Sequence, residues 1–424
     1  MKVLIVGGGG REHALAWAVA KSPKLTKLYA APGNAGIADV AECLDIGAED
    51  IPAICKAVEE LKIDFVIVGP EAPLVAGLAD KIEAMEVPVF GPSAKAAEIE
   101  GSKGMMKDLL FKYGIPTADY ERFDEPDAAK EYIRIKNKPV VVKADGLAAG
   151  KGVILSHTVT EAYAAVDQIM IEEAFGNAGD EIVIEEFLTG EEASFFALCD
   201  GERAIPLAGA QDHKQVHDGD HGPNTGGMGA YTPAPILDEK MEKRIMDEIV
   251  TPTVEGMAKE GKPYKGVLFA GLMIGEDGPK VIEFNCRFGD PECQPIMARL
   301  QSDALEMLLA AAKGELDKIK LKWDPRAALT VVMAANGYPG NYKKDTEIKG
   351  LAEADKIADV TVFHAGTKTD ADGRILANGG RVLGVTALGD TVEAAQKLAY
   401  KAVDTIDWPD GFCRRDIGWR AVGR

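Results

Sequence analysis

Short apolar runs alternate with helical segments over the first hundred residues of the chain. The runs at 2–6, 27–31, 64–68 and 87–90 predict strands, and 50–61 and 74–85 predict helices. Such an alternation predicts a doubly wound parallel sheet, which binds ligands at the carboxyl ends of its strands. The predicted fold class is therefore α/β.

Length and composition narrow the class of protein further. At 424 residues the chain exceeds what one hydrophobic core usually supports, so we expect several domains. A formal charge of −20 argues against nucleic-acid binding, which needs basic surface. The six cysteines are scattered, which is typical of reduced thiols. With no apolar run of membrane-spanning length and no signal peptide at Met1, the sequence predicts a cytoplasmic protein without a membrane partner.

Four glycines at 7–10 follow the first predicted strand and precede a helix. A turn of this kind lets phosphate approach backbone amides at a helix N-terminus. It departs from the dinucleotide fingerprint, because Glu12 stands where the last glycine is required. A dinucleotide, another phosphate ligand and a purely structural turn all remain open. Glu71, beyond the strand at 64–68, is either a ribose ligand or a solvated loop acid.

A second group of motifs is typical of a nucleotide-binding site. The predicted strand 138–143 ends in Lys143, and the glycine- and alanine-rich stretch 144–152 follows it. This stretch lacks the Walker A spacing, but its amides can cover phosphates. Burial of Lys143 without an anion would be costly, which favours a phosphate-covering loop over a structural hairpin. The acidic strand edge at 185–188 can then offer its backbone to adenine.

Residues 280–285 alternate polar and apolar types behind a turn signal, which predicts a strand with two distinct faces. Glu283 and Asn285 then share a face, and their oxygens suit a hard cation such as Mg²⁺. Arg287 follows as the strand ends, and its guanidinium can bind phosphoryl or acyl-phosphate oxygens in a bidentate way. An ordinary strand ending in a surface salt bridge is the alternative.

The longest region without periodicity is 211–230, and long loops inside domains are often active-site lids. Its histidines recur every fourth residue, but the Gly- and Pro-containing stretch 218–223 breaks any helix that would gather them around zinc. Asp212 and Lys214 are its chemically useful residues. Beyond residue 326, a strand-rich tail predicts a third, smaller domain.

Six motifs spread over the whole chain carry a family resemblance. They are Gly-Gly-Arg-Glu-His-Ala-Leu (9–15), Ala-Pro-Gly-Asn-Ala-Gly (31–36), Val-Gly-Pro-Glu-Ala-Pro-Leu (68–74), Lys-Ala-Asp-Gly-Leu-Ala-Ala-Gly-Lys-Gly-Val (143–153), Gly-Pro-Asn-Thr-Gly-Gly-Met-Gly-Ala (222–230) and Arg-Phe-Gly-Asp-Pro-Glu (287–292). Together they resemble the glycinamide ribonucleotide synthetases, or phosphoribosylamine–glycine ligases, of the ATP-grasp superfamily. One departure is Gly8, where many members carry Asn.

The resemblance implies an ATP-grasp fold at 102–326, preceded by a doubly wound domain at 1–101 and followed by a small strand-rich domain at 327–424. It implies ligation of glycine to 5-phosphoribosylamine in de novo purine synthesis, through glycyl phosphate, with release of ADP and phosphate. ATP is then a co-substrate and Mg²⁺ or Mn²⁺ the cofactor. The implied state is a monomer or weak homodimer.

The same resemblance assigns site residues. Those implied to bind ATP are Lys103, Lys143, Gly146, Gly150, Lys151, Gly152, Glu185, Glu186, Phe187, Leu188, and Glu191 or Glu192 at the ribose. The implied metal ligands are Glu283 and Asn285. The implied substrate-binding residues are Gly8, Gly9, Gly10, Glu71, Asp212, Lys214, Arg287 and Arg381. The implied catalytic residues are Lys143, Arg287, which would stabilise a tetrahedral oxyanion, and Asp212, which would hold the ammonium of glycine.

Three other functions compete with this interpretation. A sister ATP-grasp enzyme, such as a carboxyaminoimidazole ribonucleotide synthetase, would use bicarbonate and ignore glycine. A dinucleotide-dependent oxidoreductase would depend on the glycine turn at 7–10. A nucleotide sensor would bind ATP without turnover.

Overall fold

A computed structural model describes residues 1–146, 152–172 and 174–424. The first hundred residues form a parallel sheet in the order β3-β2-β1-β4-β5, which confirms the doubly wound prediction. Its strands are β1 (Lys2–Gly7), β2 (Lys27–Pro32), β3 (Glu42–Cys43), β4 (Phe65–Val68) and β5 (Val89–Phe90). Its helices are α1 (Gly10–Val19), α2 (Ile51–Leu61), α3 (Glu71–Val75), α4 (Leu78–Glu83) and α5 (Ala94–Gly101), with a 3₁₀ turn at Ile37–Asp39.

One helix prediction in this region is wrong. The segment 74–85 is not a single helix, because α3 and α4 are separate elements on either side of Gly77. Gly77 has φ +88°, a left-handed conformation that interrupts a right-handed helix and favours glycine. Glu71 is the first residue of α3, next to the carboxyl end of β4.

The next lobe is an antiparallel sheet in the order β6-β9-β7-β8. It contains β6 (Tyr120–Phe123), β7 (Val140–Ala144), β8 (Val153–Ser156), β9 (Ile182–Glu186), α6 (Lys103–Lys112), α7 (Pro126–Lys136) and α8 (Val159–Val166), with a π-helical turn at Asp167–Ile171 and a 3₁₀ turn at Gly176–Gly179. Apolar side chains of α7, α8 and the sheet form a core of their own. A lobe with a separate core can move as a unit.

The largest sheet runs antiparallel in the order β16-β15-β10-β11-β14-β17-β21-β18, and β22 pairs with β17. Its strands are β10 (Glu191–Asp200), β11 (Ala204–Asp212), β14 (Gly229–Thr232), β15 (Lys265–Gly275), β16 (Gly278–Asn285), β17 (Ala327–Ala335), β18 (Val360–His364), β21 (Arg381–Gly389) and β22 (Gly411–Phe412). The tail is strand-rich, as predicted. The pairing of β14 with β17 makes the sheet continuous across residue 326.

Two hairpins and six helices complete the described fold. The hairpins are β12 (Gln215–His217) with β13 (His221–Asn224), and β19 (Thr367–Thr369) with β20 (Ile375–Ala377). The helices are α9 (Glu239–Ile245), α10 (Thr251–Lys259), α11 (Cys293–Arg299), α12 (Ala304–Lys313), α13 (Leu351–Asp355) and α14 (Val392–Val403), with a π-helical turn at Met246–Val250 and a 3₁₀ turn at Leu316–Lys318. No helix in the described ranges combines the length and apolar character needed to cross a bilayer.

Candidate active site

The carboxyl end of β16 carries the predicted metal ligands. Strand alternation places Glu283 and Asn285 on one face, and the predicted strand is confirmed. Asn285 is buried, and its Nδ2 has no hydrogen-bond partner among the described residues. Within those residues no group of three or more His, Cys, Asp and Glu forms a metal site. The carboxylate of Glu283 and the amide oxygen of Asn285 are the kind of ligands that can serve one side of a hard cation, with water and phosphate oxygens as its remaining ligands.

Lysines surround the Glu283 carboxylate. Burial alone would raise the pKa of Glu283, but the charges of Lys214, Lys143 and Lys103 hold it below its usual value. The three lysines come from separate segments: the first residue of α6, the end of β7 and the loop after β11. The structure thus brings together four residues that the sequence predicted separately, and their combined charge suits a polyphosphate.

Lys143 contacts the carboxylate of Glu185, a residue that the sequence predicts at the adenine edge. Its Nζ lies 2.8 Å from Glu185 Oε1 and donates to the carbonyl oxygen of Ile282 at 3.2 Å. The other Glu185 oxygen lies 3.0 Å from Nζ of Lys107, a fully buried lysine on α6. The Glu185 side chain therefore positions two lysines, and only its backbone is available to adenine.

The predicted phosphate-covering loop is described at its two ends. Lys103 Nζ donates to the carbonyl oxygen of Gly146 at 3.0 Å. The amide of Ala144 donates to the carbonyl oxygen of Gly152 at 2.8 Å. Burial lowers the pKa of Lys103, and Glu283 opposes that shift. The predicted ligands Gly150 and Lys151 lie outside the described residues.

The two candidate ribose acids have different partners. Glu192 lies 3.1 Å from Lys214 Nζ. Glu191 accepts from Gln211 at 2.9 Å and pairs with Arg424 at 3.0 Å.

The adjoining strand edge is partly open. Glu186, Phe187 and Leu188 are only partly buried, and the Phe187 ring lies 5.2 Å from that of His157. Part of this edge therefore stays accessible.

Arg287 sits between two acids at the junction of the first and second domains. Its Nε donates to Glu71 Oε2 and its Nη2 to Glu100 Oε1, both at 3.1 Å. Burial would raise the pKa of Glu71, but Arg287 and Arg11 hold it below its usual value. Burial raises the pKa of Glu100 against the charge of Arg287. The structure thus joins the predicted Glu71 and Arg287, and adds Glu100, which no local pattern marks.

The glycine turn at 7–10 borders a cavity of about 430 Å³. The third domain closes its other side through Gly366, Thr367 and Asn378. A side chain at Gly8 would collide with the carbonyl oxygen of Gly33, so glycine at this position allows the two loops to approach closely. The amide of Gly9 donates to Glu12 Oε2 at 2.6 Å, which occupies one donor of the turn.

Arg381, the first residue of β21, contacts two loops. Its Nη1 donates to the carbonyl oxygens of Gly226 at 2.7 Å and of Asp290 at 2.5 Å. Its Nη2 lies 3.7 Å from Asp290 Oδ2. Arg381 therefore ties the third domain to the loops around 226 and 290.

Comparison with known proteins reveals the same three-part organisation. The family models of phosphoribosylglycinamide synthetase match the N domain at 1–100, the ATP-grasp (A) domain at 101–293 and the C domain at 328–420. The chain belongs to the phosphoribosylglycinamide synthetase family. This membership confirms the resemblance read from the six sequence motifs.

Relatives support the family assignment along the whole length. A phosphoribosylamine–glycine ligase of Rhizobium meliloti (strain 1021) is 58% identical over 424 residues, covering 100% of this chain and 99% of its own. The crystal structure of the Thermotoga maritima phosphoribosylamine–glycine ligase is 32% identical, with TM-score 0.87 and coverage of 99% and 100%.

A structure outside the phosphoribosylglycinamide synthetase family shares the fold alone. The biotin carboxylase of Campylobacter jejuni in complex with β,γ-ATP has TM-score 0.74 at 16% identity, covering 97% of this chain and 92% of its own.

Proposed function

We propose that this chain ligates glycine to 5-phosphoribosylamine at the expense of ATP, giving glycinamide ribonucleotide, ADP and phosphate in de novo purine synthesis. The single observation that carries the proposal is the convergence of Lys103, Lys143 and Lys214 on the Glu283 carboxylate, with Arg287 just beyond it. That arrangement combines a polyphosphate site with a guanidinium for an acyl intermediate. The name and full-length similarity of the relatives support the choice of substrates.

In the first step the glycine carboxylate attacks the γ-phosphorus of ATP, which yields glycyl phosphate and ADP. Lys103, Lys143 and Lys214 would orient the phosphates and neutralise their charge, which accounts for most catalysis of phosphoryl transfer. Glu283 and Asn285 would hold Mg²⁺ or Mn²⁺, which supplies further charge neutralisation on the phosphate oxygens. Asp212 would hold the ammonium group of glycine.

In the second step the amine of phosphoribosylamine attacks the carbonyl carbon of glycyl phosphate. The tetrahedral intermediate carries an oxyanion, which fixed donors stabilise best. Glu71 and Glu100 hold the Arg287 guanidinium from two sides, which fixes its direction. We therefore assign oxyanion stabilisation to Arg287 and its positioning to the two acids.

The cavity beside the glycine turn is the proposed phosphoribosylamine site. Gly8 and Gly10 would offer backbone to the ribose phosphate, with Gly9 contributing through the shape of the turn. Gly366 and Asn378 close the same cavity from the third domain. Arg381 would position the loops at 226 and 290 around this ligand.

We also propose the remaining organisation of the molecule. The domains would be 1–101, 102–326 and 327–424, and the matched ranges of the family models support these divisions. The loop containing Gly146, Gly150, Lys151 and Gly152 would cover the ATP phosphates. The backbone at 185–188 would hold adenine, and Glu191 or Glu192 the ribose. The protein would act in the cytoplasm as a monomer or weak homodimer, without nucleic acid.

An ADP-release assay with each substrate omitted in turn tests the proposal. We expect ADP only when ATP, glycine, phosphoribosylamine and a divalent cation are all present. Release with bicarbonate in place of glycine would indicate a sister ATP-grasp enzyme instead. NADH binding without any ATP turnover would indicate an oxidoreductase, and ATP binding without turnover a sensor.

A further inference from the structure

A buried carboxyl group lies beside the proposed acyl-transfer site. Glu292 follows the loop that begins at Arg287, and only 3% of its surface is exposed. The Ser194 hydroxyl donates to its Oε1 at 3.0 Å. The backbone of Gly289 borders its Oε2, because a side chain at that position would overlap this oxygen. Neither the proposed metal ligands, Glu283 and Asn285, nor the proposed phosphate contacts include this carboxyl group.

The strand register places Ser194 on the same side of the sheet as Glu283. Glu292 accepts a hydrogen bond from Ser194 and therefore lies on that side too. Glu283 pairs with Gly271, and Gly271 pairs with Ser194 on the next strand. Directly opposed residues point to one face, so Ser194 and Glu283 share a face, with backbones two strands apart, about 10 Å. Gly271 stands between them, and the Glu283 side chain leans over it, because a Cβ at that glycine would lie 3.1 Å from Glu283 Cγ. Glu283 and Glu292 therefore lie on the same face of the sheet.

Other charged groups also face Glu292. Burial, reinforced by the charge of Asp212 on β11, raises the pKa of Glu292 to about 7, while Lys214 opposes the rise. Arg287 and Cys293 of its own segment are further titratable neighbours. A carboxyl group that titrates near neutral pH is suited to general base catalysis.

We propose that Glu292 accepts the proton that the amine of phosphoribosylamine loses when it attacks glycyl phosphate. The C–N bond forms, the C–O bond to the phosphoryl group breaks, and phosphate leaves with the bonding electron pair. The nitrogen then carries one proton in excess of the amide, and this proton passes to the Glu292 carboxylate. This inference rests on the proposed function and adds the base that its second step lacks.

Rapid-quench kinetics with all substrates present separates the two steps. Wild-type enzyme should form ADP in a glycine-dependent manner, and failure to do so would reject the proposed function itself. Glu292→Gln keeps the shape of the side chain and removes the base. We expect a burst of about one ADP per enzyme, followed by a steady-state rate about 100-fold below wild type at pH 7. Glu276→Gln, at an exposed turn, is the control and should match wild type.

Two outcomes for Glu292→Gln would overturn the inference: a steady-state rate within a few fold of wild type, or a burst that falls as far as the steady state. The wild-type rate should rise with pH through about 7, and the variant should lack this rise. Ser194→Ala supplies an independent test if Glu292→Gln does not fold. Loss of the hydroxyl that favours the ionised form should move the midpoint of the pH profile upward, and an unchanged midpoint contradicts the inference.

Discussion

The Lys143 ammonium lies 2.8 Å from Oε1 of Glu185, and both groups are almost completely buried. Lys107 contacts the second oxygen of the same carboxylate at 3.0 Å. A buried carboxylate between two ammonium groups leaves one positive charge in excess. That charge is available to an incoming phosphate, so the proposed ATP site carries a positive charge before a nucleotide binds.

Glu185→Gln should destabilise the protein, because it leaves two buried ammonium groups facing each other. Removal of one member of a buried ion pair costs about 3–5 kcal/mol, so we expect a loss of about 3 kcal/mol in the free energy of unfolding by urea. ATP should restore part of it by supplying an anion. Glu186→Gln is the matched control, since Glu186 is partly exposed and its pair with Lys138 is long, at 3.9 Å. Equal stability of the two variants would contradict the conclusion that Glu185 holds Lys143 and Lys107 together.

Glu283→Gln should weaken binding of the divalent cation. Even outer-shell changes weaken metal affinity by about 10- to 100-fold, so the loss of a direct carboxylate should weaken Mn²⁺ binding in the presence of ADP by at least about 100-fold. Electron paramagnetic resonance of free Mn²⁺ measures this. Glu276→Gln, at the exposed turn between β15 and β16, should bind normally. Unchanged affinity in Glu283→Gln would remove the metal assignment.

Acid should loosen the contact between the first and third domains. His13 Nδ1 accepts from the amide of His364 at 2.7 Å and must be unprotonated to do so. Burial and the nearby His364 lower the pKa of His13 to about 3, and burial lowers that of His364 to about 4. The unfolded chain binds more protons below pH 6.5, so this stability is complete above pH 6.5 and is lost as the pH falls towards 4 and 3.

Each of these histidines should contribute a loss of about 2 kcal/mol in the free energy of unfolding between pH 7 and 5. His13→Gln should remove one such contribution, measured by urea unfolding at the two pH values. His221→Gln, at an exposed position, should retain the full dependence. Identical pH dependence in wild type and His13→Gln would show that His13 titrates normally.

Arg414 should fix the hairpin next to Asp212 and Lys214. It is buried and pairs with Asp220 at 2.9 Å and with Asp416 at 2.7 Å. Arg414→Gln removes the pairs with Asp220 and Asp416, while Asp220 keeps its pair with Arg420 at 2.7 Å. The loss of charge-assisted hydrogen bonds should let the hairpin open about 2 kcal/mol more easily, equal to about 30-fold faster amide hydrogen exchange at 215–221. Arg415→Gln removes only an exposed pair with Asp404 and should change exchange little. Equal exchange in both variants would exclude this role.

Periodicity was sufficient to predict the part of the site that lies on a regular element. Strand alternation alone put Glu283 and Asn285 on one face, and they pair in regular register with Gly271 and Phe269 of β15. The parallel sheet followed from the same kind of pattern. The ends of the predicted strands marked Lys143 and Arg287, but no local pattern could identify their neighbours in space.

Long-range pairing accounts for what the sequence did not reveal. Lys107 lies on a helix, and nothing near it in sequence shows that it is buried against Glu185. Arg414 and Asp220 are 194 positions apart, and only the folded tail brings them together. In the glycine turn, the family resemblance implied that Gly8, Gly9 and Gly10 bind substrate. The Gly9 amide donates to Glu12 Oε2 at 2.6 Å, and the run of glycines gave no sign of this contact.

Because the antiparallel sheet is continuous across residue 326, truncation at that residue would expose the edge of a strand. A fragment that stops at residue 326 would lose β17, the strand that pairs with Gly229–Thr232. Its β14 would then expose unpaired amide and carbonyl groups along an apolar strand, and such edges recruit other chains. The last hundred residues therefore cover an aggregation-prone strand edge as well as closing the cavity beside the glycine turn.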